Sequence, residues 1–131
     1  MEIVLTKNSK IKNVDFENLE FGKIFTDHLF ACKYSNNNWG TGKIMPYDNF
    51  LISPSARVFH YGQAIFEGMK CYRLDNDSLI LFRPDENFKR FNKSSTRMAI
   101  PEIPKNIFFD GLTELLKIDK DWVKKGDGNA L

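Results

Sequence analysis

Apolar residues follow two different periods along the chain, and the change between them separates a strand-rich part from a helix-rich part. Residues 21–34 are rich in aromatic and β-branched side chains and precede a run of Asn, Gly and Thr, which predicts a strand that ends in a turn. A second bulky apolar run over residues 63–72 predicts another strand. The polar residues 75–78 then reverse the chain into residues 79–82, so that we expect a β-hairpin.

Two helices are predicted after this hairpin. Pro84 followed by two acidic residues is typical of a helix start, and this helix is expected to run to about Met98. A second helix is expected after Pro104. Its apolar residues share one face at helical spacing: Phe108, Leu112, Leu115, Leu116, Trp122 and Val123. Asp119 is the polar residue on this stripe, and Gly126 is a plausible stop.

Strands followed by helices, without β-α-β alternation, predict an α+β domain in which two helices pack on one face of an antiparallel sheet. We expect residues 1–20 to form an N-terminal arm and residues 21–131 to form the domain itself. The last six residues read as a turn that ends in an apolar pair, without a polar tail. This ending favours a truncated domain.

Composition narrows the function classes. The chain is 42% hydrophobic and 27% charged, which is ordinary for a globular domain. Its net charge of +2 is too balanced to favour nucleic acid as a partner. Cys32 and Cys71 lack metal-ligand spacing and are interpreted as buried free thiols of a reducing compartment. Without a signal peptide or a long apolar run, the expectation is a soluble cytoplasmic protein with no membrane partner and no metal.

Candidate binding residues lie in two places. Arg90 sits at the margin of the apolar face of the first predicted helix, and the planar guanidinium suits a phosphate. Together with Lys93 and Arg97 it also fits a solvated basic stripe, which the pattern alone favours. Tyr61 and Phe66 could line an apolar pocket beside two glycines, although the pattern alone favours core packing.

Other polar residues carry weaker signals. His28 and His60 lack a third group at triad or metal spacing and are predicted to be structural. Glu67 is a candidate buried acid without a carboxylate near it in sequence, so a paired-carboxylate mechanism is not supported.

Several stretches taken together resemble one family. FGKIFTDHLF, HYGQAIFEGMKCYR, LFRPDENFKRFNKSSTRM and DKDWV, in this order, resemble the N-terminal part of a branched-chain-amino-acid aminotransferase, a class IV pyridoxal-phosphate aminotransferase. The resemblance covers roughly residues 20–125. D-amino-acid aminotransferases and aminodeoxychorismate lyases, which share the fold, fit the F-T-D-H block and residues 61–68 less well. The resemblance implies the small domain of a fold-type IV enzyme that forms homodimers and transfers an amino group between Leu, Ile or Val and 2-oxoglutarate.

The resemblance also implies roles for four residues. Arg90 would anchor the phosphate of pyridoxal 5′-phosphate, which for this position outweighs the basic-stripe interpretation. Phe66 would wall the pocket for a branched side chain, Tyr61 would close that pocket from the neighbouring subunit, and Phe21 would add an aromatic wall.

The resemblance places the Schiff-base lysine and the large domain beyond residue 131. No catalytic residue is therefore expected within this chain, which alone should be inactive and should not hold the cofactor. The alternative is a non-enzymatic interaction or dimerisation module with the same fold.

Overall fold

Short strands precede two long helices in the computed structural model, which describes residues 1–126 and 130–131. The strands are β1 (Glu2–Ile3), β2 (His28–Ala31), β3 (Tyr34–Ser35), β4 (Asn38–Trp39), β5 (Lys43–Pro46), β6 (Cys71–Arg73) and β7 (Leu79–Leu81). The α-helices are α1 (Arg57–Tyr61), α2 (Pro84–Arg97) and α3 (Lys105–Ile118), and 3₁₀ turns cover Ile11–Asn13 and Lys120–Trp122. This mixture of antiparallel pairs and helices is consistent with the predicted α+β class.

The largest sheet has the strand order β1-β5-β2. β2 and β5 are antiparallel, with Phe30 opposite Ile44, whereas β1 is parallel to β5, with Ile3 opposite Ile44. The sheet therefore differs from the predicted all-antiparallel one at the edge that the N-terminal residues occupy. Pairing of β1 with β5 satisfies backbone groups that a bare edge strand would leave open.

Both long strands predicted from apolar runs are shorter in the structure. The run over residues 21–34 contributes β2 only after a turn in which Gly22 adopts a φ of +74°. The run over residues 63–72 pairs with β7 only from Cys71 onward. Residues 62–70 have no regular secondary structure. The predicted hairpin is confirmed, because β6 and β7 pair antiparallel.

The predicted helices are confirmed as α2 and α3. The apolar stripe of the second helix continues past the end of α3. Trp122 lies in the following 3₁₀ turn, Val123 comes directly after that turn, and both are buried. Gly126 adopts a φ of +104°, which suits glycine at the predicted stop. Residues 127–129 of the predicted terminal turn lie outside the described residues.

Packing around Phe30 joins the sheet to α3. Its ring lies so close to Gly42 and Gly111 that an added Cβ would approach ring carbons to 2.6 Å and 2.5 Å, respectively. These two glycines therefore admit the ring between β5 and the helix. The helix α2 in turn contacts α3 through phenylalanine rings, with centroids of Phe88 and Phe108 5.3 Å apart.

Both cysteines are free thiols. Cys71 is buried, as predicted, whereas Cys32 is only half-buried. Burial raises the pKa of each thiol, which keeps both protonated and unreactive at neutral pH. None of the helices described here combines the length and the apolar character that crossing a membrane requires.

Candidate functional site

The candidate site lies where the irregular segment of residues 62–70 meets α2. The Asn87 amide on this helix donates to the Gly68 carbonyl at 3.0 Å and to the Glu67 carboxylate at 3.1 Å. At the other end of the helix, the Gln63 amide donates to the Met98 carbonyl at 2.9 Å. Side-chain hydrogen bonds therefore tie this segment to both ends of α2, and no strand pairs with residues 62–70 within the described part of the chain.

A bidentate ion pair lies at the centre of this contact. Arg90 donates from Nε to Glu67 Oε2 at 2.8 Å and from Nη2 to Glu67 Oε1. The Glu67 side chain is 6% exposed, so the acid is buried as predicted, and it also accepts from the Gly68 amide at 2.9 Å. With Asn87 this makes four N–H donors for two oxygens, which satisfies the carboxylate fully.

These donors fix the charge of the pair. The hydrogen bonds from Arg90, opposed by burial and assisted by those from Asn87 and Gly68, lower the pKa of Glu67 from 4.5 to about 2. The same carboxylate raises the pKa of the Arg90 guanidinium. Glu67 is therefore ionised throughout the physiological range and is not a proton donor or acceptor for catalysis.

The guanidinium keeps donors for a second anion. Its Nε and Nη2 edge faces Glu67, while Nη1 has no acceptor among the described residues. The Arg90 side chain is 68% exposed, so this remaining edge is open to solvent. A fixed guanidinium with one free edge suits the phosphate of the implied cofactor. The exposure of Arg90 agrees with the basic-stripe interpretation as well. A freely solvated arginine would have no fixed orientation, however, whereas the ion pair with Glu67 orients Arg90.

The predicted aromatic residues are on the surface. Tyr61, Phe66 and Phe21 are 82%, 93% and 104% exposed, so the core-packing alternative for Tyr61 and Phe66 is wrong. Tyr61 ends α1 and borders a cleft of about 500 Å³. Phe21 borders a different cleft, of about 480 Å³, that Trp122 also lines. The structure brings Arg90 to Glu67, the sequence neighbour of the exposed Phe66, whereas Phe21 and Tyr61 face separate clefts.

A second polar cluster is buried and joins the F-T-D-H block to the end of α3. His28 donates from its backbone N–H and from Nδ1 to the two oxygens of Asp119, at 3.0 Å and 2.6 Å. The backbone N–H of Thr6 donates to His28 Nε2 at 2.9 Å, which assigns the ring proton to Nδ1. The prediction that His28 is structural therefore fits its contacts.

Asp27 is the other half of this cluster. It accepts from Trp122 Nε1 at 3.1 Å, from Ser9 Oγ at 2.5 Å and from the Lys10 backbone at 2.9 Å. Burial alone would raise the pKa of Asp27, but these donors outweigh it and lower that pKa. We call Asp27, His28, Asp119 and Trp122 the buried clamp, because these four side chains tie the N-terminal residues to the end of α3.

Sequence reasoning missed the partners in both clusters. The intrusion of Asp119 on an apolar stripe was a signal for a buried acceptor, but its donor lies 91 residues away. Glu67 stood inside an apolar run, and its partner Arg90 lies 23 residues away. The exposed ring of His60 contacts the Pro54 carbonyl at 2.8 Å and has no part in either cluster.

No family model matches the chain, but several curated proteins are similar to it in sequence. The "Probable branched-chain-amino-acid aminotransferase" of Staphylococcus epidermidis (strain ATCC 12228 / FDA PCI 1200) is 45% identical over 118 residues, which are 89% of this chain and 33% of that protein. "Branched-chain-amino-acid aminotransferase 2" of Bacillus subtilis (strain 168) is 40% identical, over 100% of this chain and 36% of the relative. The "Branched-chain-amino-acid aminotransferase" of Mycolicibacterium smegmatis (strain ATCC 700084 / mc(2)155) is 41% identical, over 82% and 30%.

The chain thus spans about a third of the length of these curated relatives. The alignment with the Bacillus subtilis relative covers the whole chain, so it includes the segment at 62–70, α2 and the buried clamp. The chain belongs to the branched-chain-amino-acid aminotransferase family.

Proposed function

We propose that this chain is the N-terminal small domain of a fold-type IV, pyridoxal-phosphate-dependent enzyme that transfers an amino group between Leu, Ile or Val and 2-oxoglutarate. The observation that carries the proposal is the Arg90 guanidinium, fixed on one edge by Glu67 and open on the other. Similarity to aminotransferases over 82–100% of the chain supports the same reading. The large domain and the Schiff-base lysine would belong to the remaining two thirds of such an enzyme.

In this proposal Arg90 binds the cofactor phosphate. Its free edge would donate charge-assisted hydrogen bonds, which are roughly twice as strong as neutral ones. Pyridoxal phosphate, when bound, supplies an electron sink for the chemistry at the substrate Cα. The part of this chain is to hold and orient the phosphate end, because the Glu67 carboxylate raises the pKa of Arg90 and keeps the guanidinium charged.

The exposed rings would select the substrate side chain. Phe66, whose ring is exposed, would wall the pocket for a branched side chain, as the resemblance implies. Tyr61 would close the pocket of the neighbouring subunit of a homodimer, and Phe21 would add a further apolar wall. Rings and aliphatic groups favour Leu, Ile and Val, because a polar side chain there loses water without gaining replacement hydrogen bonds.

The test is to express the complete reading frame that contains this chain, and the 131-residue chain as its control. We expect the complete protein, a cytoplasmic homodimer in this proposal, to show the visible absorbance of bound cofactor and to convert leucine with 2-oxoglutarate. The 131-residue chain alone should do neither. A complete protein that binds no cofactor would contradict the proposal and leave the interaction module as the better account.

A further inference from the structure

We propose that Glu67 is a positioning residue that orients Arg90 toward the cofactor phosphate. This inference rests on the proposed function. It adds a role for an acidic residue that touches neither cofactor nor substrate in the account above. The contact that carries it is the bidentate pairing of Arg90 Nε and Nη2 with the two oxygens of Glu67.

The acid is itself held on several sides. Its side chain is nearly fully buried while that of Arg90 is mostly exposed, so the carboxylate is the fixed member of the pair. Asn87 and the Gly68 amide donate to the same carboxylate at 3.1 Å and 2.9 Å. Asn87 also donates to the Gly68 carbonyl at 3.0 Å, which fixes the backbone that carries the acid. Arg90 is therefore anchored to a rigid point.

Pre-organisation is the physical benefit of this arrangement. A free arginine samples many rotamers, and freezing them on binding reduces affinity. A guanidinium held in one plane by a carboxylate presents its remaining N–H donors in one direction before the ligand arrives. A lysine would not supply the same restraint, because its ammonium lacks the planar pair of parallel N–H donors that matches a carboxylate.

Simple electrostatics predicts the opposite effect of Glu67. A carboxylate near a phosphate repels it, so that removing the negative charge should strengthen phosphate binding. Because Arg90 is mostly solvent-exposed, water and salt screen this repulsion. We therefore expect orientation to outweigh repulsion, and the sign of the change on removing the charge distinguishes the two effects.

The experiment uses the complete protein and compares the variant Glu67→Gln with the wild type. Gln keeps the size of the side chain, but its NH₂ group faces the guanidinium donors and cannot pair with them. The dissociation constants of pyridoxal 5′-phosphate and of pyridoxal, which lacks the phosphate, are measured by absorbance or fluorescence titration. Glu86→Gln is the matched control. Glu86 lies on α2 together with Arg90 and pairs with Lys89 at 2.9 Å, and its replacement removes the same charge.

We expect Glu67→Gln to weaken pyridoxal 5′-phosphate about tenfold and to leave pyridoxal within about twofold, because only the phosphate uses Arg90. Glu86→Gln should change neither. Unchanged or tighter binding of pyridoxal 5′-phosphate by Glu67→Gln would overturn the positioning role. Equal weakening of both ligands would also overturn it, since that result indicates a general structural defect. A wild-type protein that binds neither ligand would overturn the proposed function itself.

Discussion

The buried clamp and the Glu67–Arg90 site use similar chemistry for different ends. In each, an aspartate or glutamate that interrupts an apolar stretch pairs with a donor far away in the sequence. In the clamp both partners are buried, and every polar atom serves another part of the same chain. In the site the acid is buried but the guanidinium and the neighbouring Phe66 are exposed. The polar residues of the two regions therefore differ in their surroundings: those of the clamp are enclosed by the fold, whereas Arg90 is open to solvent.

Substitutions in each region test this difference between them. Changes in the clamp should lower the free energy of unfolding, because each leaves a buried polar partner unpaired. A change of the exposed Phe66 ring should leave the free energy of unfolding nearly unchanged and alter substrate binding instead.

The largest expected effect on stability is that of Asp119→Ala. It removes the acceptor of two hydrogen bonds from His28 and leaves both donors buried, so we expect a loss of about 2–5 kcal/mol. Urea unfolding of the 131-residue chain measures it. Asp121→Ala is the control, because the exposed Asp121 pairs with Arg73 at the surface, and its loss should cost less than about 1 kcal/mol. Equal losses of unfolding free energy in the two variants would show that the clamp does not stabilise the fold more than a surface ion pair does.

The contact between α3 and the sheet should be next in size. A Cβ at Gly111 would come within 2.5 Å of the Phe30 ring, and such overpacking costs about 1–3 kcal/mol. Alanine regains up to about 1 kcal/mol of helix propensity, so we expect Gly111→Ala to destabilise by about 1–2 kcal/mol. Thr113→Ala, at an exposed position of α3, is the control for propensity. Combining Gly111→Ala with Phe30→Leu should restore stability in the same urea assay, and a failure to do so would contradict the contact.

The Glu67–Arg90 site should also contribute to the response of the fold to acid. The folded pKa of Glu67 is about 2, below its ordinary value of 4.5. Its contribution to stability is therefore complete above about pH 4.5 and is lost as the pH falls toward 2. Glu67→Gln should flatten the dependence of stability on pH within this window, measured by thermal unfolding between pH 2 and 5. A slope equal to that of the wild type would mean that Glu67 is not paired in solution.

The smallest effect on stability is expected for Phe66→Ala. The ring is 93% exposed, so the free energy of unfolding should change by less than about 0.5 kcal/mol. In the complete protein the same change should alter the preference between leucine and smaller amino acids, measured as ratios of kcat/KM. A loss of more than about 2 kcal/mol in urea unfolding would return Phe66 to a core role.

Features set by local sequence were predictable. Both long helices follow from apolar periodicity together with Pro84 and Pro104, and the hairpin follows from its polar turn. The helix α1 was not predicted, because its five residues lack a regular apolar face. The prediction of a strand over residues 63–72 was largely wrong, since pairing begins only at Cys71 and residues 63–70 have no strand beside them in the described part of the chain.

Features set by contacts between distant residues were not predictable from one sequence. The pattern marked Asp119 and Glu67 as unusual acids, but it gave neither of their partners. The candidate Arg90 came from the resemblance, because helical spacing alone favoured a solvated stripe. Its orientation came only from the structure, since Glu67 reaches the helix from a segment without regular secondary structure.

The most direct test of the account compares Arg90→Ala with Lys93→Ala in the complete protein. Both variants remove one exposed positive charge from α2, but only Arg90 pairs with Glu67. We predict that Arg90→Ala weakens pyridoxal 5′-phosphate by about 30-fold or more, while pyridoxal binding and all binding by Lys93→Ala stay within about twofold of the wild type. An Arg90→Ala protein that binds pyridoxal 5′-phosphate as tightly as the wild type would contradict the account.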